Sequence, residues 1–411
     1  MKRGVFMGGV CGMGMCPLAM FLSADGCDVS GFDDSPNPLV EDMLRASGVG
    51  ISRSRIPPAG CGEFIISSAL KHSEEALRGG FSGTFSRRGE ALAKIAASRR
   101  LIGICGSHGK TTTTSLIAHA VNSMGFGAGY MAGALPVGFP PARHCPEGAF
   151  FAAELDESDG TIENFSPEIT VALNGDLDHT DTYPDASALE GMFERLFSRT
   201  KKYVVIPEGD EMLARASSKS RAQTVEVRVP PCDFIQYDKL MALAAVNLAF
   251  GPGFGTEIFD GFKGVARRQE VLCASPELFA IADYAHHPRE VRSFLSWLDG
   301  VRPGRKLIFF QPHRYTRTKR FGADFRRLFE ERAAAGDDVR ILPVYAASEP
   351  FDPSGGAANI ASPSVPLAQA GEMRTILEEF RRSTSGCACA AFVGAGDVYF
   401  EAKKIFSHEE V

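Results

Sequence analysis

The chain has 411 residues, which at about 150 residues per domain predicts two to three domains. Apolar residues make up 44% and charged residues 23%, a balance that excludes collagen-like, coiled-coil and wholly disordered chains. The net charge of 44 − 50 = −6 argues against general attraction to nucleic acid or to an anionic membrane, so a bound anion needs a local cluster of Lys, Arg and helix N-termini.

The first 22 residues combine Lys2-Arg3 with an apolar stretch and so resemble a secretory leader in outline, but Gly4, Gly8, Gly9, Gly12 and Gly14 interrupt it. They fit better as a strand over 4–8, a glycine turn and a helix over 17–26, followed by a strand over 28–32. Asp33 closes that second strand, 33 − 14 = 19 residues beyond Gly14. A diphosphate on the helix N-terminus and a carboxylate near a ribose would be Rossmann-like, although the glycine spacing is irregular.

Further along, strands are predicted at 64–67, 101–105, 169–173, 203–206, 278–283, 306–311, 339–343 and 390–394, with helices at 90–98 and from 110 to about 124. Stretches 57–62, 251–255 and 352–366 read as loops. Strands alternating with helices predict parallel sheets with βαβ crossovers. The pattern starts afresh near residues 4, 101 and 278, which predicts three α/β domains over 1–98, 99–266 and 267–411. No apolar run reaches the ~18 residues of a membrane span. Ten scattered cysteines with no CxxC pair carry no metal signal and read as free thiols of a reducing, cytoplasmic compartment.

The sharpest local signal is Gly106-Ser107-His108-Gly109-Lys110-Thr111-Thr112-Thr113, set between a strand and a helix. Backbone N–H groups of such a loop cradle phosphates, the lysine reaches the β/γ-phosphates, and the threonine hydroxyl sits on Mg²⁺. Ile104 stands where the strict pattern has its first glycine, so Gly106 supplies the flexibility. Two acid-rich stretches follow apolar runs: Glu154-Leu155-Asp156-Glu157-Ser158-Asp159 and Asn174-Gly175-Asp176-Leu177-Asp178-His179-Thr180-Asp181. Their oxygen and imidazole ligands suit Mg²⁺ in the same sheet as the loop. Near the C-terminus, Asp283-Tyr284-Ala285-His286-His287-Pro288 and Gln311-Pro312-His313-Arg314-Tyr315-Thr316-Arg317 each follow a predicted strand, at the edge where open α/β sheets bind ligands. Arginine forks there match carboxylates and phosphates.

Taken in order with Ser67-Ser68-Ala69, Arg87-Arg88-Gly89-Glu90 and Gly394-Ala395-Gly396-Asp397, these segments resemble the Mur ligase family over nearly the whole chain. The resemblance implies an N-terminal Rossmann-like UDP-sugar domain, a central P-loop ATPase-like domain with a mostly parallel sheet, and a C-terminal Rossmann-like amino-acid domain. It implies ATP-dependent ligation through an acyl phosphate, with UDP-N-acetylmuramate, L-alanine and ATP as substrates and Mg²⁺ as cofactor. In site terms it places nucleotide on Gly106, Ser107, His108, Gly109, Lys110, Thr111, Thr112 and Asp238. Metal would sit on Thr111, Glu154 and His179, and UDP-sugar on Gly12, Met13, Gly14, Asp33, Ser67 and Ser68. Lys110 and Arg268 would neutralise the phosphoryl group, and Asp283 would orient groups on the ATP side. Tyr284, His286, Arg314 and Arg317 would bind alanine and the developing intermediate.

Some residues depart from the family pattern. Cys11 and Pro17 replace glycines, Cys16 replaces serine, the span from Tyr183 to Tyr237 is short, and the His-Asn-x-x-Asn stretch aligns with Tyr237-Asp238-Lys239-Leu240-Met241. Two alternatives stay open at this stage, a muropeptide-recycling ligase that adds a peptide to the same sugar and a non-catalytic homologue that binds nucleotide or UDP-sugar.

Overall fold

The computed structural model describes every residue except Met1, Ser35, Ser158, Asp159, 177–181, Pro231, Asp233, Ser348 and 407–411, and describes only the backbone of Pro38, Leu39, Ala69, Lys71 and His72. The described residues form two compact units, Met1–Lys263 and Gly264–Val411. The first unit holds two sheets and the second holds one.

The first sheet is β1 (Gly4–Gly8), β2 (Asp28–Phe32), β3 (Gly50–Ser52), β4 (Glu63–Ile66) and β5 (Thr84–Arg87), in the order β3-β2-β1-β4-β5. Every pairing in it is parallel. Helices α1 (Met15–Ala24), α2 (Pro38–Ala46), α3 (Glu74–Arg78) and α4 (Arg88–Ala97) connect it. The leader-like stretch is therefore the central strand and its helix, and Phe6, Leu18, Phe21 and Leu22 are buried.

The second sheet is β6 (Arg100–Cys105), β7 (Gly129–Met131), β8 (Ala142–Arg143), β9 (Phe150–Glu154), β10 (Ile169–Ala172), β11 (Tyr203–Pro207) and β12 (Gln223–Val227). Its order is β12-β11-β10-β6-β9-β7-β8, antiparallel only at β7–β8. The inner strands read as continuous apolar runs because both faces are covered, by α5 (Lys110–Ser123), α6 (Ala186–Arg199), α7 (Glu211–Ser217) and α8 (Phe234–Phe250). Asp185 and Asp210 start α6 and α7 by accepting the N–H of Ala188 and Leu213.

The second unit carries β13 (Glu270–Ala274), β14 (Leu278–Asp283), β15 (Lys306–Phe310), β16 (Asp338–Ile341) and β17 (Ala388–Val393) in the order β13-β14-β17-β15-β16. Only β13, at the edge, runs antiparallel. Its helices are α9 (Pro288–Val301), α10 (Tyr315–Ala334), α11 (Met373–Ser383) and α12 (Val398–Phe406). The predicted loop at 352–366 contains two short 3₁₀ turns, Pro353–Gly355 and Ala357–Asn359.

Strand order places the loops that matter. In the first two sheets β1 and β6 have neighbours whose connections run to opposite sides, and open α/β sheets bind ligands at the carboxyl ends of such strands. Those ends lead into the Gly9–Gly14 and Gly106–Gly109 loops.

Candidate active site

Gly106 and Gly109 close the loop between β6 and α5 with φ of 119° and 84°, a left-handed backbone that glycine adopts without strain. A side chain would not fit either: a Cβ on Gly106 would lie 3.0 Å from the amide nitrogen of Asn174, and one on Gly109 2.6 Å from Asp238 Oδ1. Asn174 braces the loop from the end of β10, accepting the His108 N–H at 3.2 Å and donating to the His108 carbonyl at 3.1 Å. Ser107 Oγ donates to the Asp176 carbonyl at 2.5 Å.

The lysine of this loop is turned inward. Lys110 Nζ donates to the Gly106 carbonyl at 2.6 Å and to Glu157 Oε1 at 2.8 Å, and Glu157 is 2% exposed. Burial pulls the Lys110 pKa down, but Glu157, Glu154 and Asp156 outweigh it and hold the pKa above the ordinary lysine value. Beside it Thr111 Oγ1 donates to Glu154 Oε2 at 2.9 Å, while Thr112 is buried in the same first turn. A hydroxyl and a carboxylate converging at the mouth of a phosphate loop are the hard oxygen donors that Mg²⁺ takes. His179, the third expected ligand, lies outside the described residues. Asp238, on α8, is buried with its carboxylate against Gly109, whereas Met241 is fully buried in the apolar core of the sheet.

In the first sheet, Gly9 has φ 75° and the loop folds on itself through Gly12 N–H to Gly9 O at 3.0 Å. Gly14 begins α1, preceded by Met13 in the same loop. Asp33 accepts the Cys11 N–H at 2.9 Å, so this carboxylate shapes the loop. Ser67 lies beside Gly9 and donates its N–H to Gly8 O at 3.1 Å, and Ser68 opens the 3₁₀ turn that follows β4.

The C-terminal unit gathers its expected residues at the carboxyl ends of β14 and β15. Asp283 is buried and accepts the N–H of Gln269 at 2.9 Å and of Ala285 at 2.8 Å, tying two turns together; burial raises its pKa to about 6. Arg267 and Arg268 both lie over the Tyr284 ring, 4.8 and 5.3 Å from its centroid. Tyr284 meets His286 edge-on at 5.3 Å, His286 lies 5.6 Å from His313, and Arg317 Nη1 is 3.3 Å from His313 Nδ1. Arg314 starts α10 at φ 72° and donates its N–H to the Tyr345 carbonyl at 2.8 Å. Burial pushes the His286 pKa down to about 4 and lowers that of His313 as well, so both imidazoles are neutral at pH 7. His313, within the segment after β15, and Arg267, of the Arg267-Arg268 pair, belong to this cluster although the sequence alone assigns neither a role of its own. Tandem arginines and a histidine before Arg314 were the available signals.

The loop, the lysine–threonine helix start and the mostly parallel sheet define a P-loop-type nucleotide-binding α/β protein. Residues 104–230 match the model of the Mur ligase middle domain. The chain is 31% identical to the UDP-N-acetylmuramate–L-alanine ligase of Kineococcus radiotolerans, over 95% of this chain and 91% of that protein, and 28% identical to the ligase of the same name from Mycobacterium marinum, over 96% and 92%. It belongs to the Mur ligase family. Among solved structures, its fold is similar to that of the UDP-N-acetylmuramate-alanine ligase of Thermotoga maritima, with a TM-score of 0.78 at 20% identity over 99% of both chains. The murein peptide ligase of Psychrobacter arcticus has a TM-score of 0.72 at 17% identity, over 99% of this chain and 98% of that one.

Proposed function

We propose that this chain is an ATP-dependent carboxylate–amine ligase that joins L-alanine to the carboxylate of UDP-N-acetylmuramate, a step of cytoplasmic peptidoglycan precursor synthesis. The observation that carries the reading is a half-buried lysine and a threonine at a glycine loop, each bonded to a carboxylate at or just beyond the end of β9, in a chain 31% identical to a ligase of that name. The UDP-sugar falls to 1–98, ATP to 99–266 and the amino acid to 267–411.

The chemistry needs no covalent nucleophile from the protein. The sugar carboxylate attacks the γ-phosphorus of ATP, ADP leaves, and an acyl phosphate forms. The alanine amine then attacks the acyl carbon and inorganic phosphate departs. Two anions must meet in the first step, so the chain's task is to position them and to neutralise charge. Lys110 releases Glu157 to take up phosphate. Thr111 and Glu154 would hold Mg²⁺ through their oxygens, with His179 the further ligand that the family resemblance implies, and the ion would supply charge neutralisation on the transferring group. Arg314 and Arg317 suit the alanine carboxylate, and the neutral imidazoles of His286 and His313 leave the cluster's cationic charge to its arginines.

The test is phosphate release with UDP-N-acetylmuramate, ATP, Mg²⁺ and one amino acid at a time. L-Alanine is expected to be used best and glycine and serine poorly, since one methylene in a fitted pocket is worth about 1–3 kcal/mol. Use of a muropeptide but not of free alanine would move the chain to the recycling reaction. Nucleotide binding without phosphate release for any amine would overturn ligase activity.

A further inference from the structure

The Arg87-Arg88-Gly89-Glu90 segment has no part in the chemistry above, yet it joins the two glycine loops of the first unit. It begins α4 with a defined geometry. Glu90 accepts the Arg87 N–H at 2.8 Å, and the Arg87 guanidinium holds Glu74 Oε2 through Nε at 3.1 Å and Nη2 at 3.0 Å. Gly89 is buried directly against Thr161, whose side chain occupies the space a Cβ would need. The first turn of α4 is thus fixed against the segment that follows the acidic strand end.

Arg88 is left spanning the gap. Its Cδ and Nε would lie 3.1 and 3.2 Å from a Cβ on Gly14, so the stem lies across the glycine that opens α1. Its Nη2 bonds Asp156 Oδ2 at 3.0 Å, with side chains 17% and 28% exposed. Asp156 adjoins Glu157, which holds Lys110, and lies two residues beyond Glu154, which holds Thr111. One short segment therefore carries three carboxylates to three partners: Thr111, Arg88 and Lys110.

We propose that Arg88 is a positioning residue that couples the two loops, setting the first against the phosphoryl-transfer loop through its ion pair with Asp156. The proposal rests on the reading that the first loop takes the UDP-sugar and the second takes ATP. An ion pair that holds one loop against the segment bracing the other lets occupancy of one loop bias the affinity of the other.

The experiment is calorimetry of UDP-N-acetylmuramate binding to the full chain, empty and saturated with a non-hydrolysable ATP analogue. The ratio of the two dissociation constants, empty over saturated, is the coupling factor. Arg88→Ala is expected to lower that factor about fivefold or more, a typical size for coupling between sites. Arg88→Gln, which keeps the stem over Gly14 without the charge, is expected to lower it similarly and serves if the alanine variant does not fold. Asp156→Ala should lower it in the same direction, and the Arg88→Ala/Asp156→Ala pair should match Arg88→Ala within twofold, because Arg88 acts through Asp156. A purely structural role would weaken each ligand equally in both states and leave the factor unchanged. A folded Arg88→Ala or Arg88→Gln variant with a factor within twofold of the parent overturns the proposal, as does a pair whose losses add. Failure of the functional reading would register separately, as absence of alanine-dependent phosphate release by the parent.

Discussion

The two cation-rich places in this molecule are built on opposite principles. At the phosphate loop each cation faces a carboxylate: Lys110 faces Glu157 at 2.8 Å and Arg88 faces Asp156 at 3.0 Å. In the C-terminal unit, Arg267 and Arg268 lie on an aromatic ring, Arg317 touches an imidazole, and the buried acid Asp283 is occupied by backbone N–H groups. A cation paired with a carboxylate must exchange partners when an anion arrives, so the resting site keeps its charge satisfied. A cation stacked on a ring gives up little on meeting a carboxylate, because the ring's attraction persists. The first design suits a polyanion that comes and goes, and the second suits steady presentation of positive charge to an incoming anion.

Removing a cation from its ion pair should have the largest effect. Lys110→Ala is expected to lower the rate of phosphate release about a thousandfold or more, the scale of losing a group that stabilises transition-state charge. It also strands the buried Glu157 carboxylate, a situation that costs about 3–5 kcal/mol in stability. The Lys110→Ala/Glu157→Gln pair should recover thermal stability without recovering activity. If the pair regained activity, Lys110 would not be the phosphate ligand.

Glu154→Gln keeps an acceptor for Thr111 but removes the negative charge offered to a metal. Its Mg²⁺ requirement should rise about 10- to 100-fold, read from activity against free Mg²⁺. An unchanged requirement would detach Glu154 from the metal. Smaller again is Asp238, whose carboxylate lies against Gly109 and so adds negative charge beside the loop that takes phosphate. Asp238→Asn is expected to bind ATP more tightly and to favour it over GTP, by about 1–3 kcal/mol if the amide makes a bidentate pair with adenine. No change in either quantity would separate Asp238 from nucleotide recognition.

The sequence made these places legible to different degrees. Buried strands such as 278–283 and 306–310 stand out because both faces are covered and the apolar run is unbroken. The edge strands β8, of two residues, and β12 (Gln-Thr-Val-Glu-Val), which alternates and is only half-buried, carry no such run. The phosphate loop was legible because glycine, lysine and threonine must be contiguous there. Asn174 as a brace and Arg88 as a bridge were not, because their roles arise from strands and helices far apart in sequence. Asp33 follows β2, where a carboxylate near a ribose is expected, and its Oδ2 also accepts the Cys11 N–H, a contact that depends on how the irregular glycine loop closes.

The smallest effect concerns pH, and here the C-terminal cluster sets two signs against each other. Burial raises the folded pKa of Asp283 to about 6, above the ~3.9 of an unfolded aspartate, so the folded state binds the proton more tightly. Its contribution to stability is complete below about pH 4 and is lost as pH rises to 6. Burial lowers His286 to about 4 from an unfolded value of ~6.5, so the folded state resists that proton and stability is lost as pH falls through that window. His313 shifts in the same direction under burial, reinforced by His286, Arg317 and Arg314. Two histidines against one acid predict that this cluster lowers stability on acidification from pH 6.5 to 4. The readout is the difference in melting temperature between variant and parent across that range, in which titrations elsewhere cancel. His286→Gln, neutral throughout, should gain on the parent as pH falls. Asp283→Asn should be less stable than the parent, since one of two backbone N–H groups loses its acceptor, and its deficit should widen in acid as the opposing contribution disappears. A pH-independent His286→Gln difference would mean that this imidazole is solvated enough to accept its proton, and the contrast with the ion-paired loop would no longer hold.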